Sequence, residues 1–230
     1  MEALRLFDGR GAVRLVEADA AWGAMLLERA EPGTRLVELC EEDDAAATEA
    51  AALLMRRLWR PVPKLHNFPT AARWGQGFDR LRARFGGGTG PFPRRLVEEA
   101  ETLFAELLTS TGPAAVIHGD LHHGNVLAAA REPWLAIDPK GLVAEPAYEA
   151  GALLRNPLPQ LLRRPDPVRV TERRIKQLSE VLGLERARLR GWALAQAVLS
   201  VWWTLEDEGG LGEYGCAVAE VIAATAPRSG

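Results

Sequence analysis

Cysteine is scarce in this 230-residue chain: Cys40 and Cys216 are the only two, and they lie far apart. The start, MEALRLFDGRG, lacks the basic-then-apolar plan of a secretory leader, so the pair reads as ordinary thiols in a cytoplasmic protein rather than as a disulfide. No uninterrupted apolar run approaches the ~20 residues a membrane-spanning helix needs, which excludes a membrane partner from the expectations. Basic excess is missing too. The formal net charge is −3, and the arginine-rich runs RRIKQ and ERARLR alternate with apolar positions at helical spacing, as solvated helix faces do. Nucleic acid is therefore not the expected partner. What remains, 47% hydrophobic and 26% charged residues, is the composition of a folded globular protein.

The first thirty residues read as a small β piece. In ALRLFDGRGAVRLV, alternating residues flank an Asp8-Gly9 turn signal, which predicts two short antiparallel strands, and AMLLER (24–29) predicts a third. EEDDAAATEAAALLMRRLWRP carries acids at its start, arginines near its end and a proline stop, predicting a helix over 43–59. A weak helical pattern follows near 70–85, then a Gly/Pro-rich loop over 86–93. Leu96, Ala100, Leu103 and Leu107 then recur at three- and four-residue steps, predicting an amphipathic helix to about Ser110. AAVIHGD, NVLAAA and WLAIDPK read as short strands, the last two joined by a turn near AREP. The remainder predicts helices over 146–155, 168–182, 185–207 and 212–226, with the tryptophans at 202 and 203 read as core.

One stretch concentrates the chemistry. VIHGDLHHGNVL, from Val116 to Leu127, holds three of the four histidines with an aspartate and an asparagine between apolar runs. A metal hydrolase built on His118, Asp120, His122 and His123 would need further ligands and carboxylates behind each imidazole. The supply is thin: the fourth histidine, His66, has no acid nearby in sequence. A phosphotransferase needs a carboxylate to accept the proton of an attacking hydroxyl, and oxygen ligands for magnesium. His118-x-Asp120 followed by Asn125 has the H-x-D-x-x-x-x-N spacing of a kinase catalytic loop, and Asp138 ends the next apolar strand.

VIHGDLHHGNVL followed by LAIDPKGLVAEPAYEAGALLRNP resembles the aminoglycoside and hydroxyurea resistance kinases, the group that includes streptomycin 6-phosphotransferases, within the aminoglycoside phosphotransferase superfamily. The likeness extends from ALRLFDGRGAVRLVEAD to the C-terminal helices. It implies an α+β, protein-kinase-like fold with a mainly helical C-terminal lobe, a catalytic β hairpin and a truncated N-terminal β lobe. It also implies transfer of the ATP γ-phosphate to a hydroxyl of an aminoglycoside, a similar polyol or hydroxyurea, with ATP and Mg2+ as cofactors. By the same resemblance Asp120 is the catalytic base and Asn125 and Asp138 hold magnesium. Glu28, Arg29 and Ala30 form the hinge that meets adenine, and His118 orders the loop. Glu149 is expected to brace that loop. His123, Lys140 and Glu145 are candidates for substrate or phosphate contact.

The chain departs from that pattern at its start. No lysine precedes Glu28, and no glycine-rich loop leads into a lysine strand there. Residues 1–30 are therefore expected to be a remnant of the N-terminal lobe with the hinge strand, and 31–230 the helical lobe with the catalytic loop and substrate site. A remnant of this kind leaves a catalytically weak or inactive kinase-like binding domain as the alternative, and an uncovered sheet edge would favour self-association through residues 1–30.

Overall fold

The computed structural model describes residues 1–110 and 112–225. The chain opens not with a strand but with a helix, α1 (Glu2–Phe7), which buries Ala3, Leu4 and Phe7. That spacing puts the three on one helical face. Asp8, left-handed at φ 49°, closes the helix by donating its backbone N–H to the Leu4 carbonyl at 3.0 Å. The Asp8-Gly9 signal is thus a helix stop rather than a hairpin turn. The hairpin comes later, as β1 (Leu15–Asp19) paired antiparallel with β2 (Ala24–Leu27). Its Val16, Trp22, Met25 and Leu26 are exposed.

β3 (Pro32–Arg35) leads into α2 (Leu36–Glu42), which the sequence pattern does not predict, and then into α3 (Asp44–Leu58). α3 is the helix predicted over 43–59, with α2 added ahead of it. Asp43 caps this second helix, its carboxylate accepting from the N–H groups of Ala45 and Ala46 at 3.0 Å each, so the chain turns between two helices there. β4 (Arg60–Pro61), α4 (Ala71–Arg84) and α5 (Arg94–Thr109) follow, α5 turning Leu96, Val97, Ala100, Phe104 and Leu107 inward.

Next come β5 (Ala115–Ile117), β6 (Val126–Ala129), β7 (Trp134–Ala136) and a short β8 (Leu142–Ala144). They form two antiparallel three-stranded sheets, ordered β3-β6-β7 and β4-β5-β8. β5 is the central strand of one sheet and β6 the central strand of the other, so residues 118–125 connect the two. The polar stretch is fixed at both ends by strand pairing.

A 3-10 turn over Pro146–Glu149 leads into α6 (Ala150–Leu154), and α7 (Pro167–Leu182), α8 (Arg186–Glu208) and α9 (Ala217–Ala224) complete the order. α8 is buried nearly all round over Leu189–Leu199, so it is the axis on which α4, α5 and α6 pack. The predicted last helix begins late, because Gly209, Gly212 and Gly215 take left-handed conformations; its predicted end at Ala226 lies outside the described residues. Among the described residues no helix is long and apolar enough to cross a membrane.

Candidate active site

Gly119 makes the turn into the polar stretch at φ +86°, where a Cβ would meet that of Leu142 at 3.1 Å. Behind it lies Glu149, buried, whose carboxylate accepts from the N–H groups of His118 at 2.6 Å and Gly119 at 2.9 Å. Burial pushes this carboxyl up to about 7, against the pull of those donors and of Leu121. The His118 ring is likewise buried. Its Nδ1 accepts from the Asp120 N–H at 3.2 Å, which leaves Nε2 to donate to the Ile137 carbonyl at 2.9 Å. Burial lowers its pKa to about 4, so the ring is neutral near pH 7 and holds the loop against Ile137, between the end of β7 and Asp138.

Asp120 itself is half-buried. Arg155 Nη2 donates to its Oδ1 at 2.9 Å, while His122 Nε2 stands 3.9 Å from Oδ2. Arg155 was not among the expected residues, although a single arginine closing the apolar run AGALL is a signal for it. Its side chain is 15% exposed, burial pulls its pKa down, and among the described residues Nη1 has no partner. Asn125 donates its amide nitrogen to the Asp120 carbonyl at 3.0 Å; its side-chain oxygen remains as an acceptor. The Asn125 carbonyl accepts from the Ile137 N–H at 2.9 Å, so one backbone bond ties Asn125 to the residue before Asp138. Asp138 sits at φ 55°, 66% exposed, with Lys140 Nζ at 2.6 Å from Oδ2. Amide and carboxylate oxygens of this kind suit magnesium, and imidazole does not. Among the described residues no three His, Cys, Asp or Glu side chains converge as ligands.

Two candidates for substrate or phosphate contact, His123 and Glu145, are buried. His123 is fully buried, with burial lowering its pKa to about 3, and does not face solvent. Glu145 is also buried, held by Arg188 at 2.6 and 3.0 Å and by the indole N–H of Trp192, so its charge is spent inside the helical body. The Glu28 carboxylate is clamped by Arg131 through two 2.8 Å bonds and accepts from the Arg14 N–H, and the Arg131 hydrogen bond leads the causes that lower its pKa to about 2. Arg29 pairs with Glu31 at the surface.

Two clefts meet at Asp120 and Arg155. One, of about 580 Å³, is walled by Trp74, Arg73, Arg80, Lys140 and Trp203, with the two indoles edge to face at 5.6 Å. Trp202 is core as expected, but Trp203 is a cleft wall. The other, of about 390 Å³, runs between α8 and the 209–216 loop past Asn156, Ser200, Thr204, Glu208, Glu213 and Tyr214. A hydroxyl presented from either cleft could reach the same carboxylate.

Known proteins resemble this chain along most of its length. The family model described as aminoglycoside/hydroxyurea antibiotic resistance kinase matches residues 1–209. A streptomycin 6-kinase from Streptomyces glaucescens is 38% identical over 205 residues, 89% of this chain and 66% of that protein. A hydroxyurea phosphotransferase from Kitasatospora aureofaciens is 38% identical, across 96% of this chain and 62% of that protein. The chain thus spans just under two thirds of the length of these relatives. Among solved structures, a choline/ethanolamine kinase family protein from Mesorhizobium loti superposes with a TM-score of 0.70 at 15% identity, over 99% of this chain and 76% of that one, which shows a shared kinase-like fold.

Proposed function

Because the chain belongs to the aminoglycoside/hydroxyurea antibiotic resistance kinase family, we propose that it transfers the γ-phosphate of ATP to a hydroxyl of a small acceptor, either a streptomycin-like aminoglycoside or hydroxyurea. The observation that carries this reading is the placing of Asp120. Its Oδ1 is fixed by Arg155 where two clefts meet, so Oδ2 is the oxygen left to take a proton. In the proposed step the acceptor oxygen bonds to the γ-phosphorus, the bond from that phosphorus to the β-bridging oxygen breaks, and the hydroxyl proton passes to Asp120 Oδ2.

Asn125 and Asp138 would hold magnesium, which when bound supplies the charge that neutralises the phosphates. Lys140, whose Nζ stands 2.6 Å from Asp138 Oδ2, would compete with the ion for that carboxylate. Glu208 and Glu213 make the second cleft acidic, and this suits an acceptor bearing amine or guanidinium groups. The chain's own residues therefore do three things: Arg155 and His118 orient the base, Glu149 braces its loop, and the clefts position the hydroxyl.

A second reading, a kinase-like binding domain with weak turnover, is favoured by one specific observation. No lysine precedes Lys64, so residues 1–63 offer no lysine ammonium to the β- and γ-phosphates. The test is transfer of γ-labelled phosphate from Mg·ATP to streptomycin and to hydroxyurea. A phosphorylated product is expected from at least one; ATP binding with no labelled product from either would favour the second reading.

A further inference from the structure

Beneath the catalytic loop lies a buried charge cluster that the proposed chemistry does not use. Asp44, at the start of α3, receives both Arg173 and Arg174 of α7. Arg174 is 1% exposed. Burial is the largest single influence on Asp44 and works to raise its pKa, but the hydrogen bonds from Arg174 and Cys40 and the charges of Arg174 and Arg173 together outweigh it and leave the carboxyl at about 2. A buried ion pair gives up much of its Coulomb gain to desolvation, so its presence is poorly explained by stability alone.

What Arg174 does with its remaining donors is specific. Nη1 donates to the Asn156 carbonyl at 2.6 Å, and Nη2 points to Cys40 Sγ at 3.3 Å. Asn156 follows Arg155 directly and terminates α6: its N–H donates to the Leu153 carbonyl at 3.2 Å and its side-chain amide to the Ala152 carbonyl at 2.9 Å. α6 is five residues long, too short to be stable without tertiary support. A guanidinium seated on the carbonyl just past its end therefore fixes where Arg155 begins, and Arg155 in turn holds Asp120. The same guanidinium contributes to the field at His123, inside the catalytic loop.

We propose that Arg174, oriented by Asp44, is a positioning residue for Asp120, acting through Asn156 and Arg155 at the end of α6. This rests on the phosphotransfer reading for its kinetic consequence and not for its structural one. The planar fork matters. It serves Asp44 and Asn156 at once, and a lysine, with one compact ammonium, cannot reproduce that geometry.

The experiment is a double-mutant cycle on the full chain with Arg174→Lys and Arg155→Lys, using Asp44→Asn as a second entry into the clamp. Arg174→Lys is expected to lower kcat about tenfold, with the acceptor KM changed by less than ~2-fold, and to cost less than ~2-fold more when Arg155 is already lysine. Independent, multiplicative losses, or a rise in KM alone, would overturn the proposal. The companion measurement needs no turnover: in Arg174→Lys and Asp44→Asn, solvent exchange of the Arg155 Nε proton, followed by NMR, should rise about tenfold while amide protection along α8 stays as in the wild type. Exchange left unchanged at Arg155 removes the clamp even if the chain phosphorylates nothing; raised exchange in a chain without turnover supports the clamp and counts against the phosphotransfer reading only.

Discussion

His123 carries both ring nitrogens into the core with no hydrogen-bond partner among the described residues, which makes it the clearest case of a sequence signal outweighed by burial. In the unfolded chain this imidazole titrates near 6.5; in the folded protein burial, joined by Arg174, lowers it to about 3. The unfolded state therefore binds the extra proton as pH falls from 6.5 towards 3, and stability is lost over that window. His118, lowered to about 4 by burial, acts in the same sense. Glu149, raised to about 7, acts oppositely: its contribution is complete below the usual carboxylate range and is lost as pH rises through about 7. Both are common to wild type and variant, so a substitution isolates the one ring. His123→Leu should change unfolding free energy by less than ~1 kcal/mol at pH 7.5 and be more stable than wild type by about 2 kcal/mol at pH 5. Denaturant unfolding at the two pH values checks it, and an identical acid slope in both proteins would mean that the ring is not buried neutral.

At the scale of elements, α6 is the piece on which the site depends, and its packing is tight at Gly151. A Cβ there would meet the Gln196 side chain at 2.3 Å, and Gln196 is committed to the Tyr148 carbonyl at 2.5 Å. Gly151→Ala should therefore cost about 1–3 kcal/mol and, by pushing α6 off α8, weaken turnover beyond what the lost stability explains; thermal unfolding with kinetics at a permissive temperature separates the two. Long periodic elements such as α3 and α5 were legible because apolar spacing, caps and end charges agree. α1, α2 and β8 were not. Six or seven residues carry too little periodicity to tell ALRLF as a helix from ALRLF as a strand, and three residues of β8 become a strand only because β5 lies beside them.

In the molecule as a whole, the loop proposed to be catalytic stands out in the sequence because its candidate residues are local: His118, Asp120, Asn125 and Asp138 lie within one loop and one hairpin, at the spacing of a kinase catalytic loop. The parts of the site that were missed come from far along the chain. Arg155, Trp74, Trp203, Glu213 and the Asp44–Arg174 pair are brought to the loop by the packing of α4, α6, α7 and α8 around it, and neither composition nor spacing records that convergence. Glu145 was misplaced for the same reason, since its partners Arg188 and Trp192 sit more than forty residues later.

The same whole-molecule view makes a nucleotide prediction. With no lysine before Lys64, the γ-phosphate has few direct partners in this chain, so calorimetry should find ATP bound little more tightly than ADP in the presence of magnesium. An ATP preference above about tenfold would identify another cation, Lys140 first, as its partner.

The most direct test is single-turnover transfer from γ-labelled Mg·ATP to a streptomycin-like acceptor by wild type and by Asp120→Asn, with the fold of each checked by circular dichroism. The account predicts a labelled acceptor from the wild type and a loss of about 10²–10⁴-fold or more in the variant, whose side chain has nearly the same shape but cannot accept the proton. Equal transfer by the two proteins would contradict it.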